Sequence, residues 1–408
     1  MMETLFTRYV MSKAKNGKER KMSKRCSFLS GAAGAAMIFA AGAAHADALA
    51  SPSMSGPLAA NASPTSFDAG PVGNIYVTGA ISGLALFQTN HSYLHGDNAE
   101  LVDFSNAQVF VQKTDGWLQF YAEVGGYSLP SLGAPYIRAS TQTSNSFGVL
   151  PEAYVKIVPS DSFNIEAGRL PTLIGAEYTF TFENLNIERG LLWNQEPAIS
   201  QGVQGNYTSG PLTVSVSLND GFFSNRYNWL TGSIAYAFSS ADTVTFVGGG
   251  NMGHTNYGSP LTGPSVANAT PLLQNSGSIY NLIWTHTSGP WTITPYAQYS
   301  NVPKVLGLPS TSTWGGAVLA NYAFDSNWSL GGRVEYISAD NSSFLELYGP
   351  GSHAWSVTIT PTYQYKVFFA RADVSYVGLG HSPAGFEFGV NADKSSQVRC
   401  LLETGIVF

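Results

Sequence analysis

Charged residues are scarce in this chain, since Asp, Glu, Lys and Arg make up 11% of its 408 residues, against about 25% in an ordinary soluble domain. Only two cysteines are present, Cys26 and Cys400, which excludes a fold held by a disulfide framework. No run of 18 apolar residues follows position 46, which excludes helical membrane spans there. Aromatic residues (13%) and glycines (43) are abundant instead. This balance is typical of a β-barrel in lipid.

Residues 1–46 have the composition of a secretory signal peptide. A basic region precedes the apolar stretch 28–43, and Ala44-His45-Ala46 supplies the small residues of a cleavage site. The start is either Met1 or Met22, because the segment from Met22 is a complete leader by itself. We therefore expect cleavage after Ala46 and export from the cytoplasm.

The remaining chain is acidic and begins with an irregular segment. Residues 1–46 hold eight of the 20 Lys and Arg residues and two of the 26 Asp and Glu residues, which leaves 12 basic and 24 acidic residues. This net charge opposes nucleic-acid binding. Residues 47–72 are rich in Ala, Ser and Pro without periodicity, which predicts a disordered periplasmic linker. Residues 73–408 form the third unit.

From Asn74 onward, segments of about ten residues alternate in polarity, as half-buried strands do. Short and long connections follow in turn, which is typical of outer-membrane barrels with short periplasmic turns and long external loops. The fold class predicted is all-β, a closed antiparallel transmembrane β-barrel of about sixteen strands. The strands predicted are 74–87, 104–113, 117–126, 149–158, 163–170, 200–208, 212–220, 229–238, 243–251, 278–287, 291–300, 313–324, 328–338, 354–365, 367–376 and 396–408.

Ten charged residues fall in the middle of these strands, and all ten lie on the parity opposite the apolar face. An Arg or Lys on the lipid face costs roughly 2–4 kcal/mol at the bilayer midplane, so these side chains are predicted to point inward and line a wet pore. The ten are Glu123, Glu152, Lys156, Glu166, Arg333, Glu335, Arg371, Asp373, Arg399 and Glu403.

Aromatic residues on the apolar parity flank the short turns, where a barrel places an interfacial belt. They are Phe163, Phe238, Trp291, Phe324, Trp328, Tyr365 and Phe368. The chain ends on alternating apolar residues and Phe408, which resembles the signal read by the barrel-insertion machinery. The partners expected are therefore outer-membrane lipid, lipopolysaccharide and that machinery.

The stretch NIEAGRLPTLIGAEYTFTFENLNIERGLLWNQEPAISQGVQGNY, residues 164–207, resembles the OmpL-like outer-membrane β-barrel porin family. The resemblance extends over 72–408 and implies a water-filled channel for small hydrophilic solutes. It also implies a homotrimer. In porins of this size the loop after the fifth strand resembles a constriction inside the lumen, which here is the loop at about 171–199. Its charged residues are Glu177, Glu183, Glu188, Arg189 and Glu196.

Those four glutamates against Arg189 give the loop an excess charge of −3, so we expect the channel to prefer cations, or neutral solutes, over anions of the same size. Lys156 and the three wall arginines oppose that preference. The alternative functions are a structural or adhesin-type barrel without an open channel, and a barrel enzyme.

Catalysis is not expected, because the Ser at 382 lacks the strand-turn-helix context of a nucleophile elbow. His91 and His95 lie four apart, a metal spacing only on a helix. No cofactor and no metal are expected.

Overall fold

The computed structural model describes residue 49 and residues 51–54, 56–94, 96–253, 274–304, 309–340 and 348–408. Residues 1–46, where the signal peptide is predicted, lie outside these residues, as does His95. In the described part of the chain, no helix has the length and apolarity needed to cross a membrane.

Sixteen antiparallel strands close on themselves, and each strand pairs with the next along the chain. The barrel strands are β2 (Asn74–Gln88), β3 (Glu100–Lys113), β4 (Leu118–Tyr127), β5 (Ala153–Ser160), β6 (Phe163–Pro171), β7 (Ile199–Ser209), β8 (Leu212–Asn219), β9 (Trp229–Ala237), β10 (Asp242–Asn251), β11 (Ser278–Ser288), β12 (Trp291–Val302), β13 (Thr311–Ala323), β14 (Trp328–Ala339), β15 (His353–Tyr365), β16 (Phe368–His381) and β17 (Ser396–Val407). They follow the short strand β1 (Thr65–Asp68). The predicted fold class is confirmed.

The seam joins the last strand to the first strand of the barrel. β17 pairs with β2 from Arg399 opposite Gln88 to Val407 opposite Ala80. β1 pairs with the remaining end of β2, from Asp68 opposite Asn74 to Thr65 opposite Val77. The edge of β2 is therefore paired by two separate parts of the chain, which leaves little of it open to another molecule.

Few helices accompany the sheet in the described residues. They are α1 (Ala139–Asn145) and the 3₁₀ helices η1 (Gly70–Val72), η2 (Thr181–Glu183), η3 (Trp193–Gln195) and η4 (Gln274–Ser276). The turns between β7 and β8 and between β11 and β12 each begin with glycine, Gly210 and Gly289, at a φ of 56°. Two-residue hairpins favour glycine there because their backbone twist requires a positive φ.

The outer surface is apolar and carries aromatic side chains near the short turns. Six of the seven predicted belt residues are exposed, from 46% at Trp291 to 67% at Phe238, and Phe163 is half-buried. This surface faces away from the interior of the barrel, where the charged residues lie. Phe408 continues the seam, because its backbone exchanges two hydrogen bonds with Gly79, each 2.9 Å long.

The segment predicted as a disordered linker has defined contacts within its described residues 51–54 and 56–72. Its residues 65–68 form β1, and Leu58 is 1% exposed among apolar residues of the barrel interior. The prediction was wrong for this part of 47–72, because the order comes from contacts with the barrel rather than from any local pattern.

Candidate functional site

All ten predicted wall charges are buried inside the barrel, with exposures from 0% to 8%. Their lipid-side neighbours Val155, Val334 and Val374 are 48%, 49% and 54% exposed. The charged side chains therefore point inward and these apolar neighbours point outward. Glu152 differs in one respect, because it lies immediately before β5 and not within a strand.

The charges are covered because the segment 172–198, between β6 and β7, folds into the barrel; it is called the inner loop below. All five of its charged residues, at positions 177, 183, 188, 189 and 196, are buried, with exposures of 5% or less. The segment between β6 and β7 thus lies inside the barrel.

Arg333 on β14 anchors the inner loop from the wall. Its guanidinium pairs with Glu177 of the loop and also with Glu335 two residues along the strand, at 3.1 Å. Arg333 also donates a hydrogen bond to the carbonyl oxygen of Glu188, at 2.8 Å. One buried cation therefore holds two parts of the loop, with both carboxylates as counter-charges.

Two more wall arginines bind the loop on neighbouring strands. Arg371 on β16 donates to the carbonyl oxygens of Thr181, Asn184 and Leu185, at 2.7, 2.9 and 2.8 Å. Arg399 on β17 pairs with the carboxylate of Glu188 at 3.0 Å. The carbonyl oxygens of Asn184 and Leu185 lie just after η2, where a helix end leaves acceptors without an internal partner, and the guanidinium of Arg371 donates to both.

Acidic wall residues complete the attachment by accepting loop amides. Glu335 accepts the backbone N–H of Leu191 at 3.1 Å, and Asp373 accepts that of Glu188 at 2.9 Å. The wall charges therefore bind the loop directly. The loop charge of −3 that the sequence suggested is not free, because Glu177 and Glu188 are paired with wall arginines.

A second connection, residues 128–152 between β4 and β5, lies against the inner loop. The amide and guanidinium of Arg189 both donate to the carbonyl oxygen of Pro130, at 3.0 and 2.9 Å. Leu132 donates its amide to the carbonyl oxygen of Arg189 at 2.9 Å. From the sequence, this connection was predicted only as a long external loop. Its contacts with the inner loop use backbone atoms, so no residue pattern could predict them.

Residues 51–54 and 56–59, called the N-terminal strap below, cross one sector of the barrel end that carries the short turns. Ser51 hydrogen-bonds to the hydroxyl of Tyr154 on β5 at 3.0 Å, and Ala59 exchanges two hydrogen bonds with the side chain of Gln364 on β15, at 2.7 and 2.9 Å. Between them, the amide of Gly56 donates to the carbonyl oxygen of Glu183 at 3.0 Å. The strap therefore bridges β5 and β15 beneath the inner loop.

Glu183 lies where the strap meets the loop. Burial raises the pKa of this carboxyl to about 8, while hydrogen bonds from the amides of Phe180 and Ser53 and the charge of Arg189 act in the opposite direction. Glu123 and Glu152 on the wall are close enough to interact with it electrostatically. The loop thus meets the strap through a carboxyl that is largely protonated below neutral pH.

Raising the pH is expected to loosen this junction. The carboxyl of Glu183 has a pKa of about 8 where the loop meets the strap and about 4.5 when the loop is released. Its protonation therefore stabilises the contact between loop and strap fully below pH 4.5, and this stabilisation is lost as the pH rises toward 8. Single-channel recordings at about pH 5 and about pH 9 should show larger current fluctuations at the higher pH. Glu183→Gln should remove most of the difference, and Glu100→Gln, an exposed control, should not. Equal pH dependence in all three proteins would contradict this prediction.

The part of the barrel wall formed by β7 to β13 has almost no charged residues. The seven strands β7 to β13 contain Asp242 and His286 as their only Asp, Glu, Lys, Arg or His residues. These two pair with each other at 2.8 Å beside the exposed Trp284. The inward faces of these strands therefore present hydroxyl, amide and apolar groups. The ten wall charges lie on or immediately beside the other strands, β14 to β17 and β2 to β6, which are called the charged side below. There, Lys156 pairs with Glu166 at 3.1 Å.

A closed sixteen-strand barrel with an apolar exterior, a polar interior and an inward-folded loop defines an outer-membrane β-barrel of the porin class. The chain belongs to the family described as "Putative beta-barrel porin-2, OmpL-like", whose model matches residues 74–408. It is an outer-membrane porin, and the resemblance noted in the sequence is confirmed.

Solved structures with the same fold include several outer-membrane proteins. The anion-selective porin from Comamonas acidovorans matches with a TM-score of 0.56 and 10% identity, over 82% of this chain and 99% of that one. The trimer form of OmpT from Vibrio cholerae matches with 0.54 and 13%, over 82% and 99%. The outer-membrane channel DcaP of Acinetobacter baumannii matches with 0.54 and 12%, over 82% and 97%. No curated protein sequence matches the chain.

Proposed function

We propose that this porin is a diffusion channel for small hydrophilic solutes, narrowed by the inner loop. The observation that carries the proposal is the attachment of that loop to the wall by the buried ion pairs of Arg333 and Arg399. A loop held in this way narrows the lumen without depending on mobile contacts. The wall charges then serve the channel by fixing the shape of its narrow part.

The proposed ion preference is weak and favours cations or neutral solutes over anions. Among the fifteen charged residues named on the wall and the inner loop, ten are acidic and five are basic. Pairing leaves this excess of five unchanged but weakens the field around each paired charge, and protonation of Glu183 lowers the excess to four. The electric field in the narrow part of a channel decides its ion selectivity. Because most charges there are paired, we expect only a small preference between cations and anions.

Assembly and export complete the proposal. We assign the chain to a homotrimer, because the trimer form of OmpT shares its fold. Residues 1–46 act as a cleaved signal peptide, and Phe408 serves as the insertion signal at the seam. The expected contacts are outer-membrane lipid and lipopolysaccharide on the apolar surface.

A barrel without an open channel is the second candidate, and the burial of inward residues at mid-height favours it. Thr245 and Asn281 are each 1% exposed on the uncharged side, and Glu123 is 0% exposed on the charged side. A structural or adhesin-type barrel would have such a filled interior.

Conductance separates the two candidates. Purified, refolded protein added to a planar bilayer should give discrete steps of current, with a reversal potential close to zero under a salt gradient. Heat-modifiable migration verifies that the sample is folded, and a heat-denatured sample is the control. Folded barrel that inserts and gives no steps would establish the filled barrel and remove the channel.

A further inference from the structure

The periplasmic end of the barrel differs between its two sides. In the sector of β14 to β17 and β2 to β5, several inward residues near the short turns are buried: Gln112, Thr362, Phe369 and Val407 have exposures of 1% to 4%, whereas Gln119 and Gln364 are half-exposed. The N-terminal strap lies against this sector, and Leu58 shares its apolar cluster with Phe369 and Val407. The strap therefore covers the charged side of the mouth.

On the β7 to β13 side, inward residues at the same level are half-exposed. They are Thr208, Thr213, Thr243, Thr287, Thr292 and Thr294. Their hydroxyl groups form cross-strand pairs, for example between residues 208 and 213 at 3.3 Å and between residues 287 and 292 at 3.5 Å. This surface, called the threonine wall below, is an accessible part of the mouth and carries no ionised side chain.

Resting on the channel function proposed above, we infer that solutes pass along the threonine wall and that this route favours neutral, polyhydroxylated molecules. A hydroxyl both donates and accepts hydrogen bonds, so a wall of threonines can replace water around the hydroxyl groups of a solute. An ion leaving water needs charges or strong dipoles to compensate for its lost hydration. The charged residues that would supply them bind the inner loop on the other side of the barrel.

Cysteine accessibility tests the route, with a matched pair of threonines. Thr294 lies three residues from the periplasmic end of β12, and Thr362 lies three residues from the periplasmic end of β15. Each is changed to cysteine in a Cys400→Ser background, and a small cationic methanethiosulfonate is added from the periplasmic side of a bilayer. Modification of Thr294→Cys should reduce the current and shift the reversal potential toward anions. Modification of Thr362→Cys should change neither.

Solute preference is measured by swelling of liposomes that contain the wild-type protein. A neutral sugar, the corresponding sugar acid and the corresponding amino sugar are compared at equal concentration. The neutral sugar should enter at least as fast as either charged form. Entry of one charged form several-fold faster, or stronger block at Thr362→Cys than at Thr294→Cys, would overturn the inference while leaving a channel. Folded wild-type protein without conductance would overturn the channel function, and the inference with it.

Discussion

Deletion of residues 51–63 is expected to raise single-channel conductance several-fold. These residues include the strap that spans the mouth between Tyr154 and Gln364, and its removal uncovers the charged side of the barrel. The loss of Leu58 from its apolar site costs about 2 kcal/mol, which the sixteen-strand ladder tolerates. Conductance and reversal potential are measured in planar bilayers, and a stronger cation preference should accompany the larger current because Glu123 and Glu152 become accessible.

A substitution at Gly56 provides a finer version of this experiment. A Cβ atom at position 56 would lie 2.5 Å from the carbonyl oxygen of Asn184, so Gly56→Val should push the strap away from the inner loop. Ala59→Val is the matched control, because the side chain of Ala59 is exposed on the same strap. We expect Gly56→Val to raise conductance and Ala59→Val to leave it unchanged. A deletion variant with wild-type conductance would show that the strap does not obstruct the route.

Replacement of Arg333 by Met is expected to give the largest loss of stability. The change leaves the carboxylates of Glu177 and Glu335 buried without their cation, and breaking a buried pair in this way costs about 3–5 kcal/mol. The inner loop should leave its site, so the current should become larger and noisier. The temperature at which heat-modifiable migration is lost should fall.

The triple variant Arg333→Met, Glu177→Gln, Glu335→Gln distinguishes charge from shape. Removal of all three charges eliminates the uncompensated burial, so the triple variant should be more heat-resistant than Arg333→Met alone. If the single variant kept the wild-type transition temperature, the ion pairs would not be what holds the loop.

The barrel strands could be predicted because polar and apolar residues alternate along them with a period of two. This pattern can be read within one strand, without knowledge of contacts to residues far away in the sequence. The predicted starts at residues 163, 212 and 328 coincide with those of β6, β8 and β14. The same parity placed Arg333, Arg371 and Arg399 inside. It could not assign their partners, because Arg333 and Glu177 are far apart in sequence and meet only after the sheet has closed.

The strap shows what a local pattern cannot reveal. Ala, Ser and Pro without periodicity are typical of disorder, and here the order comes from the amide of Gly56, the backbone of Ala59 and the side chain of Leu58 against a completed barrel. The number of free charges on the inner loop could not be predicted for a related reason. A sum over Glu177, Glu183, Glu188, Arg189 and Glu196 treats each charge as free, whereas the wall neutralises two of them.

The seam also has an evolutionary consequence. A Cβ atom at Gly79 would lie 2.5 Å from the ring of Phe408 and 2.6 Å from the carbonyl oxygen of Gln108. The ring of Phe408 and the carbonyl oxygen of Gln108 together leave no room for a side chain at position 79. Among related sequences, glycine at position 79 and an aromatic residue at position 408 should be inherited together, as a covarying pair from distant parts of the chain.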